Sequence, residues 1–206
     1  MSGKVTAVVV DDSQFMRTTI ADILESGNVS VVAEAPDGAA GVDAVREHDP
    51  DVVTMDVEMP GMGGIEAVER IMDEEPTPIL MLSAHTGEDA DVTFEALDRG
   101  AVDFFEKPSG EVSVGLSRSE EQLIDAVRSV AAATPAAPDD DGPPDRDRSP
   151  PRGDALPDQP TLVIGASTGG PNVVERTIAG LPSSEFRILV VQHMPGSFTS
   201  GFANRL

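Results

Sequence analysis

Two acidic side chains, Asp11 and Asp12, follow the apolar run Val5-Thr6-Ala7-Val8-Val9-Val10, and a third, Asp56, follows Asp51-Val52-Val53-Thr54-Met55. Ser83 ends a similar run, Pro78-Ile79-Leu80-Met81-Leu82, and Lys107 stands immediately before Pro108. Carboxylates brought together repel one another unless a hard cation neutralises them. Mg²⁺ suits that task because it prefers oxygen ligands, keeps several waters and bridges to a phosphoryl oxygen. A lysine ammonium and a serine hydroxyl beside it would hold the other phosphoryl oxygens. The chemistry expected of such a pocket is phosphoryl transfer to Asp56, whose carboxylate would become an acyl phosphate. Each aspartate alone reads equally well as a helix cap or turn residue. The addition of Ser83 and Lys107 argues against that simpler reading.

A second set lies near the end of the chain, in Leu162-Val163-Ile164-Gly165-Ala166-Ser167-Thr168-Gly169-Gly170-Pro171 and Leu189-Val190-Val191-Gln192-His193. Ser167 leaves a strand and enters a Gly-rich helix start, where small residues admit a substrate and free amides face an oxyanion. His193 ends the next strand. Parallel neighbours would set it beside Ser167 as a nucleophile and its base. The competing reading is a phosphate-binding glycine loop with an incidental histidine, although neither GxGxxG nor GxxxxGK[ST] is present.

Both sets need strand ends on one edge of a sheet, and the hydrophobic pattern supplies them. Strands are expected over Val5–Val10, Val29–Ala33, Asp51–Met55, Ile79–Leu82 and Val102–Phe105. Helices are expected with an apolar face of Met16, Ile20, Ile23 and Leu24, then over Ala39–Arg46, Ile65–Asp73, Ala90–Arg99 and Glu120–Val130. Five βα units predict a flavodoxin-like α/β fold, a doubly wound parallel sheet with its first and third strands adjacent. Residues 131–160 turn to Pro, Asp, Ala and Arg with almost no large apolar side chain, which predicts an extended, disordered, acidic Pro-rich linker. Strand Leu162–Ala166, helix Asn172–Ala179 and strand Phe186–Val191 then begin a second doubly wound α/β domain. One βαβ unit cannot cover both faces of a parallel sheet, so this domain is expected to be truncated at Leu206. The domains are thus 4–130, 131–160 as linker, and 161–206.

Residues 4–130 resemble the receiver domain of two-component signalling, through Val10-Asp11-Asp12-Ser13, Met55-Asp56-Val57-Glu58-Met59-Pro60-Gly61-Met62-Gly63-Gly64, Met81-Leu82-Ser83-Ala84 and Glu106-Lys107-Pro108. The resemblance implies phosphorylation of Asp56 by a histidine kinase, with Mg²⁺ held by Asp12, Asp56 and the backbone carbonyl of Glu58. Asp11 belongs to the same acidic cluster. Ser83 would be a switch hydroxyl and Phe104 the switch aromatic, although position alone favours plain sheet packing for Phe104. Gly165-Ala166-Ser167-Thr168-Gly169-Gly170-Pro171 and Gln192-His193-Met194-Pro195 resemble the catalytic domain of the chemotaxis methylesterase family, CheB, whose domain order is also receiver, linker, esterase. That implies Ser167 as nucleophile, His193 as general base, and hydrolysis of glutamate γ-methyl esters, with glutamine deamidation, on chemoreceptors. The family's third triad member, an Asp late in the domain, has no matching position. Asp154 and Asp158 precede Ser167 and are not substitutes. No catalytic role is assigned to His48 or His85.

The 206 residues include no cysteine, which excludes disulfides and thiolate metal sites. A net charge of -23 opposes direct binding to nucleic acid, whose phosphates would be repelled. No apolar run reaches the roughly 20 residues that span a bilayer, so no membrane insertion and a cytoplasmic location are expected. Lysine occurs only at Lys4 and Lys107, the other cations are arginines, and the acids are rich in Asp, a composition that fits a halophilic protein. Two other functions remain open: a stand-alone phosphoreceiver module, and a transcriptional regulator, which the charge disfavours.

Overall fold

A computed structural model describes residues 4–83, 89–107, 118–133, 161–181 and 187–206. Most of the expected linker, together with His85 and Pro108, lies outside the described residues. The first part of the chain runs β1 (Thr6–Val10), α1 (Gln14–Ser26), β2 (Ser30–Ala35), α2 (Gly38–His48), β3 (Val52–Asp56), α3 (Gly64–Glu74), β4 (Ile79–Ser83), α4 (Asp89–Asp98), β5 (Asp103–Glu106) and α5 (Arg118–Ala131). The sheet is parallel in the order β2-β1-β3-β4-β5, with β1 and β3 adjacent as the patterning requires.

Every residue of β3 and β4 is buried, because helices cover both faces of the sheet. On one face Ile20, Ile23 and Leu24 of α1 and Leu123, Ile124, Val127 and Val130 of α5 pack on Ala7, Val9, Val52, Leu80 and Leu82. On the other, Val42, Val45, Ala67, Val68, Ile71, Phe94 and Leu97 pack on Val8, Val10, Val53, Met55, Ile79 and Met81. Local signals place the helix starts: the Ser13 side chain accepts from Met16 N, and Asp37 Oδ1 accepts from Ala40 N at 2.9 Å. Expected boundaries shift by one or two residues, those of β2 at both ends. β2 begins at Ser30 and runs to Ala35, because Asn28 turns the chain with φ 60° and Val29 is buried before the ladder starts.

The second part runs β6 (Thr161–Ala166), α6 (Gly170–Ala179), β7 (Arg187–Gln192), a 3-10 turn (Gly196–Phe198) and α7 (Thr199–Arg205). β6 and β7 pair in parallel from Thr161↔Arg187 to Ala166↔Gln192. The sequence reading had no element after the last strand. α7 forms there because Phe198 and Phe202, four residues apart, share one apolar side. These two rings and Val174 complete the core cluster on the α4 and β5 side of the first sheet. Phe198 lies 4.3 Å from Phe104 between ring centroids, and Phe94 meets Phe104 edge-on at 5.9 Å. Around this cluster, Asn172 Nδ2 donates to the Leu97 carbonyl at 2.6 Å, which caps the last turn of α4. Arg205 bridges Asp98 at 2.7 Å and Glu175 at 3.0 Å, with its guanidinium 5.3 Å above the Phe94 ring. The far face of β6 and β7 presents Val163, Leu189 and Val191, all more than half exposed.

Arginines tie the acidic surface together elsewhere too, as in Arg46 with Glu74 and Arg99 with Glu69 and Glu95. With 37 acids against 14 Lys and Arg, most carboxylates have no cation to pair with. Their repulsion should relax as the Debye length falls to about 3 Å near 1 M salt. Thermal melts are therefore expected to rise between dilute buffer and molar KCl, and a melting point indifferent to salt would contradict this account.

Candidate functional site

The carboxylates expected to meet do so at the carboxyl ends of β1 and β3. Asp11 and Asp56 are buried, Asp12 is exposed, and the three offer oxygens that lie within 4.8 Å of one another. Lys107 reaches in from the end of β5, with Nζ 2.8 Å from Asp11 Oδ2 and 2.7 Å from Asp56 Oδ1. Asp11 Oδ1 accepts from Ser13 N at 2.9 Å, whereas its buried Oδ2 has the ammonium as charge partner and no hydrogen bond of good geometry. Three carboxylates against one ammonium leave an excess of negative charge beside a solvent-facing acid. That donor set, all hard oxygens, fits Mg²⁺.

Burial pushes the Asp56 carboxyl above its usual range, although Lys107 and the Glu58 amide pull the other way. For Lys107, burial opposes the charge, but the paired carboxylates of Asp11 and Asp56 prevail and raise it overall. Ser83 is fully buried at the end of β4, where its carbonyl accepts from Lys107 N at 2.9 Å. Glu58 follows Asp56 in the exposed loop after β3. That loop folds back so tightly that a Cβ on Gly64 would stand 2.0 Å from the Asp56 carbonyl oxygen. Only glycine fits there. Phe104 is buried on β5, two strand positions from Asp56, in contact with Phe94 and Phe198.

Ser167 and His193 stand at the ends of adjacent strands, both exposed, one residue past the paired Ala166 and Gln192. The last rung is His193 N to the Ala166 carbonyl at 3.0 Å. Gly169 takes φ 70°, a left-handed value that glycine adopts without strain, and α6 starts directly after it. Both residues line a cavity of about 550 Å³ whose other wall belongs to the first domain, including Asp103, Glu106, Lys107 and Gln122. His48 is exposed in the last turn of α2, away from either cluster.

Sequence reasoning missed the residue that joins the two halves. Asp103 opens β5, accepts from Gly169 N at 3.2 Å through Oδ2, and is also hydrogen-bonded by the Thr168 side chain. Its one visible signal was an acid at the start of a short apolar strand. Burial pushes its pKa from 3.8 up to about 6, against the pull of the Phe104 and Gly169 amides, Thr168 and His193.

Comparison with known proteins settles the lineage. Response regulator receiver domain matches residues 7–114, and CheB methylesterase matches residues 162–206. A protein-glutamate methylesterase/protein-glutamine glutaminase of Natronomonas pharaonis is 57% identical over 98% of this chain. The chain belongs to the CheB family. A second CheB relative, from Halobacterium salinarum, is 57% identical over 97% of the chain, and these homologues come from halophiles. The chain spans 59% of the length of the first relative and 58% of the second. The crystal structure of the response regulator domain of Thermotoga maritima CheB superposes with a TM-score of 0.57 at 42% identity, covering 65% of this chain and all of that one.

The raised Asp103 carboxyl makes the contact between the two parts of this CheB chain sensitive to pH. A group whose pKa rises on folding contributes stability that is complete below its unfolded value of 3.8 and is lost as pH climbs through about 6. The full difference amounts to about 2 to 3 kcal/mol. Asp103→Asn removes the cost of an ionised buried acid, so its melting temperature relative to the parent should rise from pH 4.5 through about 6 and level off above that. Parallel pH profiles for the two proteins would show that Asp103 is not the titrating group.

Proposed function

We propose that this chain belongs to a phosphorylation-controlled, cytoplasmic chemotaxis methylesterase that hydrolyses glutamate γ-methyl esters and deamidates glutamines on chemoreceptors. The pairing of Ala166 with Gln192 carries the reading, since it delivers Ser167 and His193 side by side to one edge of a parallel sheet. A carboxylate and lysine pocket on the same chain supports control by a histidine kinase. No helix among the described residues is long and apolar enough to cross a membrane, which agrees with a cytoplasmic enzyme.

In the receiver, Asp56 is the nucleophile. An Asp56 carboxylate oxygen attacks phosphorus, the bond from phosphorus to the donor histidine breaks, and an acyl phosphate forms. Asp11, Asp12, Asp56 and the Glu58 carbonyl would hold Mg²⁺, which when bound neutralises charge on the phosphoryl oxygens. Lys107 and Ser83 would contact the remaining oxygens, and Phe104 would pass the change toward the Phe198 ring it already touches.

In the esterase, Ser167 Oγ attacks the ester carbonyl as His193 takes its proton, and His193 then returns the proton to the departing methanol. Water hydrolyses the acyl-serine by the same relay. The Gly169 amide is suited to the oxyanion, since Gly170 N is used by the Ser167 carbonyl at 2.8 Å, but in this arrangement Gly169 N already donates to Asp103. The receiver carboxylate thus holds a group the reaction needs. Phosphorylation that loosens this contact would free it.

Two substitutions test the two halves. Asp56→Asn should abolish base-labile phosphate uptake from a small phosphodonor with Mg²⁺, and undiminished labelling would move the acceptor elsewhere. In the full-length protein, Ser167→Ala should abolish methanol release from methylated chemoreceptor, since it removes the nucleophile. Release at the parent rate would reject the serine mechanism, and no release by the parent itself would leave the phosphoreceiver module as the better reading.

A further inference from the structure

We infer that Gln192 is the positioning residue that fixes Ser167 against His193, through one side-chain amide bonded to the backbone of both. This rests on the serine mechanism proposed above and adds a residue to it. Gln192 Nε2 donates to the Ser167 carbonyl at 2.8 Å and to the His193 carbonyl at 3.1 Å. Both protons of one amide are therefore engaged, one by each partner of the pair.

The place of this clamp explains the need for it. The ladder between β6 and β7 ends with His193 N on the Ala166 carbonyl. Beyond that rung no strand pairing holds the two chains together, and the natural twist of the sheet would carry them apart. Ser167 and His193 are the first residues past the end, and both are exposed, so packing does not fix them. The Gln192 side chain replaces the missing rung.

Two further features fit an amide kept for its donors. A Cβ on Gly170 would stand 2.1 Å from Gln192 Oε1 and 2.8 Å from the Ala166 Cβ, so the start of α6 is shaped to admit this side chain. Gln192 Oε1 is buried without a hydrogen-bond partner among the described residues. An orphaned buried acceptor lowers stability.

Function and stability should therefore separate on substitution. In the full-length protein, Gln192→Met keeps the length, removes both donors and removes the orphaned oxygen. Of the two carbonyls it releases, that of Ser167 keeps its bond from Gly170 N at 2.8 Å, and that of His193 belongs to an exposed residue that water can serve. The melting temperature should hold or rise while kcat for methanol release from methylated chemoreceptor falls about 10²-fold, with KM changed less than about 3-fold. The rate at which a fluorophosphonate labels Ser167 should fall in parallel. Gln192→Glu provides a second variant: its carboxylate would repel the two carbonyls, and its activity relative to the parent should recover as falling pH restores one O–H donor. Since every other ionisable group is common to both proteins, the ratio isolates the new acid. A Gln192→Met enzyme within 2-fold of parental kcat, or one whose loss tracks a lowered melting temperature, would overturn the role. Failure of the parent Ser167 to react with the fluorophosphonate would instead overturn the serine mechanism on which it rests.

Discussion

The ammonium of Lys107, held between Asp11 and Asp56, is the interaction on which the arrangement of the receiver depends. Two buried carboxylates at neighbouring strand ends would repel each other and raise the cost of closing the sheet. One cation 2.8 Å from the first and 2.7 Å from the second makes that closure tolerable. The order β1-β3-β4-β5 puts Lys107 two strand spacings from Asp56, roughly 10 Å, a gap that a long flexible side chain can bridge and a short one cannot. The pocket is left with more negative than positive charge. It is therefore built for a further cation rather than completed without one.

That lysine leaves from a four-residue strand that also serves the other half of the chain. Asp103 at the start of β5 meets Gly169, Phe104 next to it meets Phe198, and Lys107 just past its end meets the acids. A strand this short cannot shift at one end alone, because its pairing to β4 runs without a break from Leu80↔Asp103 to Ser83↔Glu106. Any change of partner at Lys107 is thus mechanically close to the contact that occupies the Gly169 amide. The fold places the lysine of the acid pocket and the contact to Gly169 on one element.

The acid pocket was legible because each member follows its own apolar run, and strand ends in a parallel sheet share one edge. Ser167 and His193 were legible for the same reason, their strands being consecutive. β2 was misplaced by its start because Val29 is buried by packing and not by pairing, and hydrophobic pattern does not separate the two. α7 was missed because two phenylalanines among small and polar residues form a helix only when a receiving surface exists, here Phe94 and Phe104. Asp103, Asn172 and Arg205 could not be read from the chain, since their partners lie 30 to 107 residues away. Gln192 was visible in the motif, but its double bond to the neighbours' carbonyls depends on a side-chain direction that only the fold supplies.

The composition constrains how the two parts can hold together. At a net charge of -23, long-range repulsion opposes any docking of acidic surfaces, and the salt that screens it also weakens exposed ion pairs such as Arg46 with Asp43. Contacts that survive molar salt must be apolar, or charged and sheltered. The interface uses both: four phenylalanine rings within 4.3 to 6.3 Å of their neighbours, and one arginine partly sheltered over Phe94 while it holds Asp98 and Glu175. Salt strengthens the burial of the rings through exclusion from apolar surface, so their contribution grows under the conditions that silence the surface pairs. In a chain with only 3% aromatic residues, the concentration of four of its seven phenylalanines at this one contact follows from that demand.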